Sequence, residues 1–470
     1  MSHHSFDFII AGNYLTSMIA ALELARSGKK VCLLNPTPTW GGHFTKIMVN
    51  GHAYDPGAIS HEFTAFNETN LRDPLQYTPV MRNDWGRFAG LIEDYTRSHI
   101  ELVKMQTPQT VYNEHMYDDI IMTNRLDVLQ APQLKGRIAG ETAFILQQEV
   151  HPYHARNKKN NPDFLTKSYY EVSLLNHGAT LHSGLFEPYF HKMSNLSTTR
   201  LIARYHRIGW LPLYYPETIH SQFTDKPQQL SDTHFCYPKA GYIAVFAETL
   251  LQRIEEAGVV ISREPIEQVK DEPGTTTVYT KDGQRYNAPK LIWSLTHDQL
   301  ISQVTGQPPH AFERWSASLA FLTIPVQQIK KDFSVLWSPD DRTLFYRACN
   351  QTNSAGKEEA AARITVEFNP DYLRSHGLTD DAAILQRLRQ DFCTLGIVED
   401  PSAISVEGYK TLKNVLLLPC VENWNLLEKE RDILYASYPR VHFTRNTDAF
   451  FTDTLNDQII KGLRIAAEYK

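Results

Sequence analysis

The order of patterns in residues 7–58 constrains this chain more than any other stretch. Phe8 to Ala11 form a short apolar run, as expected of a buried parallel strand. After Gly12 and Thr16–Ser17 comes MIAALELARSG, an Ala/Leu-rich helix closed by Gly28. Lys30 to Leu34 make a second strand that ends at Asn35. Such a unit brings the helix N-terminus to the strand tips, where backbone N–H groups and the helix dipole favour a pyrophosphate.

The usual dinucleotide fingerprint is GxGxxG, with an acid at the end of the second strand. In this chain Gly12 fills the first position, Tyr14 the second, Ser17 the third, and Asn35 replaces the acid. Asn13 lies inside the turn. Ser17 is small enough for helix and strand to pack closely. Asn35 can still hydrogen-bond a ribose hydroxyl, without charge assistance. Tyr14 is the larger departure, because the second glycine exists to let the backbone approach the pyrophosphate. Two readings stay open: a phenol that excludes the cofactor or stacks on a ligand, and a ring rotated outward over a wider turn.

Next come Trp40-Gly41-Gly42-His43-Phe44, then Gly51 and HAYDPGA. A glycine pair, a gap of about ten residues and G-x-x-x-D-x-G-A form a pattern far more specific than the first turn. On these residues the chain resembles the glutathione-reductase-type FAD-dependent oxidoreductase superfamily, in the branch with amine oxidases, protoporphyrinogen oxidase, phytoene desaturase and UDP-galactopyranose mutase. The resemblance implies that Gly41 and Gly42 lie against the ribityl and pyrophosphate region. It sets Gly57 and Ala58 at the edge of the flavin pocket, with His43 and His61 near the flavin or ligand edge as candidates for proton handling.

The same resemblance covers CYPKAGYIAVFAETLLQRIEEAGVVIS and the strands that follow. Gly241 opens an amphipathic helix, VVIS is a strand, and Asp282–Gly283 marks a hairpin before the apolar strand Leu291 to Trp293. Ile266 matches the position whose backbone contacts the adenine. The C-terminal piece YPRVHFTRNTDAFFTDTLNDQIIKGLRIAAEYK resembles the closing flavin motif: Thr444-Arg445 stands where Gly-Arg is usual, and Asp457 begins the last helix.

The implied fold class is α/β, a discontinuous FAD/NAD(P)-binding Rossmann-like domain with an inserted α+β substrate domain. Residues 1–62, 236–300 and 415–470 would form the first, and 63–235 with 301–414 the second. Within the insert, NLSTTRLIARYHRIGWLPL reads as helical. It carries Arg204, Arg207, Trp210 and, shortly after, Tyr214, a set suited to a nucleotide-sugar diphosphate through Arg forks and stacking. The alternative is arginines facing solvent and aromatics filling a core. RITVEF alternates like a strand with one covered face. Tyr346, Arg347 and Asn350 fall on or just after a strand resembling one that lines the substrate pocket of the mutases and oxidases, and Arg347 is the first choice for an anion contact.

Net charge −6 and a pI near 6.3 give no basic footprint for nucleic acid. Five scattered cysteines lack metal-ligand spacing and suit a reducing compartment. Without a signal-like opening or a long apolar run, a soluble cytoplasmic protein is expected, with homo-oligomerisation left open. Two functions fit the residues. One is a FAD-dependent oxidoreductase or mutase-like flavoenzyme acting on a small or nucleotide-sugar-type substrate. The other is a flavoprotein-fold protein with a lost or altered FAD site, acting as a non-redox enzyme or a binding partner.

Overall fold

The computed structural model describes residues 3–65, 70–77, 85–118, 127–158, 160–227, 232–444, 450 and 454–470. At its centre is a five-stranded parallel sheet in the order Val260–Ser262, Val31–Leu34, Phe8–Ala11, Lys290–Trp293, Val441–Phe443. Alternation at period two sends its side chains to opposite faces. Phe8, Ile10, Val31, Leu33 and Ile292 pack under the helices Leu15–Arg26, Val245–Glu256 and Leu455–Tyr469. Ile9, Ala11, Cys32, Leu34, Leu291 and Trp293 meet Ile266, Val269 and Val278 of the hairpin layer on the other face. That layer joins His3–Ser5, Arg285–Ala288, Thr275–Thr280 and Ile266–Glu272. The last helix crosses the first closely at Gly462, where a Cβ would come within 2.7 Å of the Ile19 Cβ.

A seven-stranded sheet forms the second half, in the order Ser405–Leu417, Arg314–Pro325, Ala361–Phe368, Arg347–Asn350, Val335–Trp337, Gln109–Tyr112, His115–Asp118. Its pairs are antiparallel except for Val335–Trp337 with Gln109–Tyr112. One face carries Ala320, Leu322, Ile364 and Val366 against Ile384, Leu388 and Phe392 of the helix Asp381–Thr394. The other turns Trp315, Trp337 and Tyr346 toward Leu185, Phe186, Tyr189 and Phe190 of the helical insert.

Two expectations change. RITVEF is buried on both faces rather than one, because its alternate residues Arg363, Thr365 and Glu367 are covered as well. NLSTTRLIARYHRIGWLPL is not one helix. It makes short 3-10 turns, Thr198–Arg200 and Ala203–Gly209, and stops where Trp210 adopts a left-handed φ of +51°.

The two sheets are tied at the turn Asp55-Pro56-Gly57-Ala58. The Asp55 carboxylate accepts from the Tyr237 hydroxyl and, at 2.8 Å, from the Ile243 N–H. From the seven-stranded side, the Asp55 N–H donates to Gln351 Oε1 at 3.1 Å and its carbonyl accepts from Thr365 Oγ1 at 3.1 Å. Gln351 in turn donates to the Gly241 carbonyl at 3.2 Å. Among the described residues, no helix is long and apolar enough to cross a membrane, and no group of His, Cys, Asp or Glu could hold a metal ion.

Burial pushes the Asp55 carboxyl up from 3.8 to about 7, against the lowering effect of its hydrogen bonds and of Arg363. An acid whose folded pKa is raised favours the fold when protonated. That contribution is complete below the unfolded value of 3.8 and is lost as pH rises through about 7. The gap is worth roughly 4 kcal/mol. In paired thermal melts, wild type is expected to lose stability relative to Asp55→Asn as pH climbs through this window. A pH-independent difference would refute the assignment.

Candidate functional site

The first candidate region is the cleft at the tips of Phe8–Ala11 and Val31–Leu34. Gly12 has φ +153°, and a Cβ there would stand 2.7 Å from Ser17 Oγ and 2.8 Å from Ser294 Cβ. This position therefore needs glycine for close helix–strand packing. Ser17 Oγ is buried with no hydrogen-bond partner among the described residues. Tyr14 is the N-cap of Leu15–Arg26 and offers no side-chain cap. Its place is taken from the far end of the chain: Gln458 Oε1 accepts from the Leu15 N–H at 3.0 Å, and the Gln458 carbonyl accepts from Thr16 Oγ1 at 3.1 Å.

The Tyr14 ring lies directly on the backbone of Gly42, whose φ is +62°; a Cβ at Gly42 would overlap the ring carbons. His43 is exposed, with its ring 4.0 Å from that of Phe44 and 6.5 Å from Tyr14. Gly41, at φ +84°, donates its N–H to the Asn13 carbonyl at 2.8 Å. The Asn13 side chain donates to Thr37 Oγ1 at 2.9 Å and to the Thr39 carbonyl at 3.2 Å. Asn35 is fully buried and bonded to the same loop. Its Oδ1 accepts from the Thr37 N–H at 2.9 Å and Oγ–H at 2.6 Å, while its Nδ2 donates to the Thr39 carbonyl at 3.0 Å.

The remaining cofactor candidates hold the framework. Thr444 continues the pairing of Val441–Phe443, its N–H donating to the Trp293 carbonyl at 3.0 Å. Arg445 lies outside the described residues. Asp457 closes a capping box with Thr454 at the start of the last helix, and the Tyr77 hydroxyl donates to it at 3.3 Å. The Ile266 carbonyl accepts from Gln299 Nε2 at 2.6 Å, and its side chain is buried in the hairpin layer. His61 is fully buried between Phe63 and Phe246, with neither ring nitrogen hydrogen-bonded among the described residues. Burial, assisted by Arg97, lowers it to about 3, so the ring is neutral and shut away from solvent.

A second region starts at the same Asp55–Ala58 turn. The Ala58 N–H donates to Glu367 Oε1 at 2.7 Å, and a Cβ at Gly57 would stand 3.1 Å from the Glu367 carboxylate. The other oxygen of Glu367 accepts from Arg347 Nη2 at 2.6 Å and from the Tyr346 hydroxyl at 3.1 Å. Arg347 and Glu367 are direct cross-strand partners, and the Arg347 side chain is 10% exposed. Its guanidinium stacks 4.0 Å over Trp210 and 5.4 Å from the Tyr346 ring. Burial works against the Arg347 charge, and the Glu367 carboxylate more than offsets it, so its pKa rises. Arg347 Nε and Nη1 are buried without an acceptor among the described residues. Beside them, Tyr189 stacks on Trp337 at 4.2 Å with its hydroxyl buried.

Of the expected substrate residues, the structure brings together Tyr346 and Arg347, with Trp210 from the aromatic segment. Asn350 instead caps Gln351–Ser354 and bonds Asp332 at 3.2 Å. Arg204 donates to the Lys158 carbonyl at 3.1 Å, Arg207 reaches Glu62 at 3.4 Å, and Tyr214 is buried with its N–H on His177. Glu367 and Gln458 were missed. A lone acid in the apolar RITVEF strand was the available signal for Glu367; Gln458 carried none.

The residues present are a poor fit for FAD. The backbone turns suit a dinucleotide, with positive φ at Gly12, Gly41, Gly42 and Gly57. The Leu15 N–H, the Asn13 and Asn35 side chains and the Ala58 N–H, which would receive it, are bonded to other parts of the chain.

No family model matches the sequence, and no curated protein sequence does. Solved structures do match in shape. A reduced UDP-galactopyranose mutase superposes with a TM-score of 0.68 at 13% identity, covering 98% of this chain and 92% of that one. A protein described as a protoporphyrinogen oxidase from Exiguobacterium gives 0.63 at 16% identity over 100% and 99% of the two chains. Putrescine oxidase bound to putrescine gives 0.58 at 12% identity over 99% of each. The chain therefore shares the fold of these three solved structures, a UDP-galactopyranose mutase, a described protoporphyrinogen oxidase and a putrescine oxidase.

Proposed function

We propose that the chain handles a small, oxygen-rich, ring-bearing compound of the nucleotide-sugar class, in a site centred on Arg347. The observation that carries this reading is the guanidinium with two buried nitrogens that have no acceptor among the described residues. A buried donor left unpaired costs about 1–3 kcal/mol, which a ligand oxygen would recover. Glu367 already balances the Arg347 charge, so the ligand is selected by hydrogen bonding as much as by charge. Trp210 supplies a flat face for a ring. That the neighbours in shape are a mutase and oxidases supports an enzyme; shared fold alone leaves the reaction class undecided.

A second reading, a FAD-dependent oxidoreductase or mutase-like flavoenzyme acting on the same compounds, is favoured by the positive-φ glycines along the cleft and by the fold. In that reading His43, exposed near the glycine pair, is the candidate for proton handling.

Thermal-shift titrations with UDP- and GDP-sugars test the first reading. Ligand at a hundred times its Kd stabilises by about 2.7 kcal/mol, a shift of a few degrees in Tm. The double variant Arg347→Met/Glu367→Gln removes both charges together, because removing one would strand the other in a buried site. Wild type is expected to shift and the folded double variant not to. No shift at millimolar ligand, or equal shifts in both proteins, would contradict the reading.

A further inference from the structure

We infer that the dinucleotide cleft is closed by the chain's own side chains, and that the folded protein takes up no FAD. A dinucleotide on this kind of strand–helix unit needs three things. Its pyrophosphate needs open N–H groups at the helix N-terminus, its close approach needs a bare second position in the turn, and its ribose diol needs a free side chain at the end of the second strand. The first helical N–H, the second turn position and the Asn35 side chain are each already engaged.

The pyrophosphate's place is taken by a carboxamide. Leu15, the first residue of the helix, gives its N–H to Gln458 Oε1 in a buried bond. Space for close approach is filled by the Tyr14 ring, which rests on Gly42 and bridges the first turn and the glycine pair. The ribose partner is bound to its own loop: Asn35 uses both oxygen and nitrogen on Thr37 and Thr39, and Asn13 fastens the same two residues. At the far edge, the Ala58 N–H is held by Glu367.

Four separate parts of the chain thus converge on one cleft, each from a different stretch of sequence. A single side chain could swing aside for a ligand. Displacing FAD-sized space here would require Tyr14 to move, Gln458 to release the helix, and the 35–39 loop to lose its internal bonds. The glycines keep the backbone shape while the Tyr14 ring lies against Gly42. In this state the cleft serves as a joint, since Gln458 and Thr16 couple the C-terminal helix to the first helix. The inference bears on the flavoenzyme reading and leaves the Arg347 site as it is, so a sugar-nucleotide result neither rescues nor sinks it.

The test uses the full chain. Purified protein is denatured and the supernatant assayed for flavin; separately, native protein is titrated with FAD, followed by quenching of FAD fluorescence and by Tm. Wild type is expected to release no stoichiometric flavin and to show neither quenching nor a Tm shift. The variant Tyr14→Gly/Gln458→Ala, confirmed folded by circular dichroism, is expected to gain FAD affinity by about ten-fold or more. Stoichiometric FAD in wild type, or a Tm shift on adding it, would overturn the inference. A folded double variant as blind to FAD as wild type would overturn the assignment of these two side chains as the block.

Discussion

The buried bracket around Asp55 is the interaction on which the rest of the molecule depends. The Tyr237 hydroxyl and Ile243 N–H hold its carboxylate from one side, while Gln351 and Thr365 hold its backbone from the other. That one residue fixes the parallel-sheet half to the seven-stranded half. It also fixes where Gly57 and Ala58 sit, and so where Glu367 finds the Ala58 N–H. With Glu367 anchored, its cross-strand partner Arg347 is anchored too, and Trp210 closes over the guanidinium.

From this joint the molecule diverges into two kinds of space. Toward the parallel sheet, Asn13, Asn35 and the Leu15 N–H are bonded within the chain, while Ser17 Oγ and Gln458 Nε2 are buried without a partner among the described residues. Toward the seven-stranded sheet, Arg347 Nε and Nη1 are buried without an acceptor among the described residues. Buried polar groups are rarely left unpaired unless something else satisfies them. Both spaces therefore hold buried polar groups that a ligand could satisfy, and the nucleotide-sugar proposal rests on those of Arg347. Positive-φ glycines and the Tyr14 ring coexist because φ is a property of the backbone path, whatever lies against it.

Much of the fold was legible, and for a physical reason. Phe8 to Ala11, the Asp282–Gly283 hairpin and the last helix are set by local periodicity and turn chemistry, which survive in a single sequence. The structure starts Lys30–Leu34 one residue later, at Val31, and begins the Gly241 helix at Val245, shifts typical of element ends. RLIARYHRIGW misled because its apolar spacing resembles a helix, while the left-handed Trp210 needed to close over Arg347 breaks it. The site was less legible. Tyr14 stood out by position, but whether its ring turned inward depended on Gly42, in a later turn that the ring covers. Asn350 and Asp457 fell at suggestive places and proved to be helix caps. Glu367 and Gln458 act only through long-range partners, on Ala58 and Leu15, that no local pattern announces.

Whether the dinucleotide cleft is closed, as inferred above, is decided by a crystal structure of the full chain grown in excess FAD. Closure requires the Tyr14 ring on Gly42, the Gln458 carboxamide on the Leu15 N–H, and no dinucleotide density between them. Continuous density for a pyrophosphate along Gly12 to Leu15, with Tyr14 swung away, would contradict it.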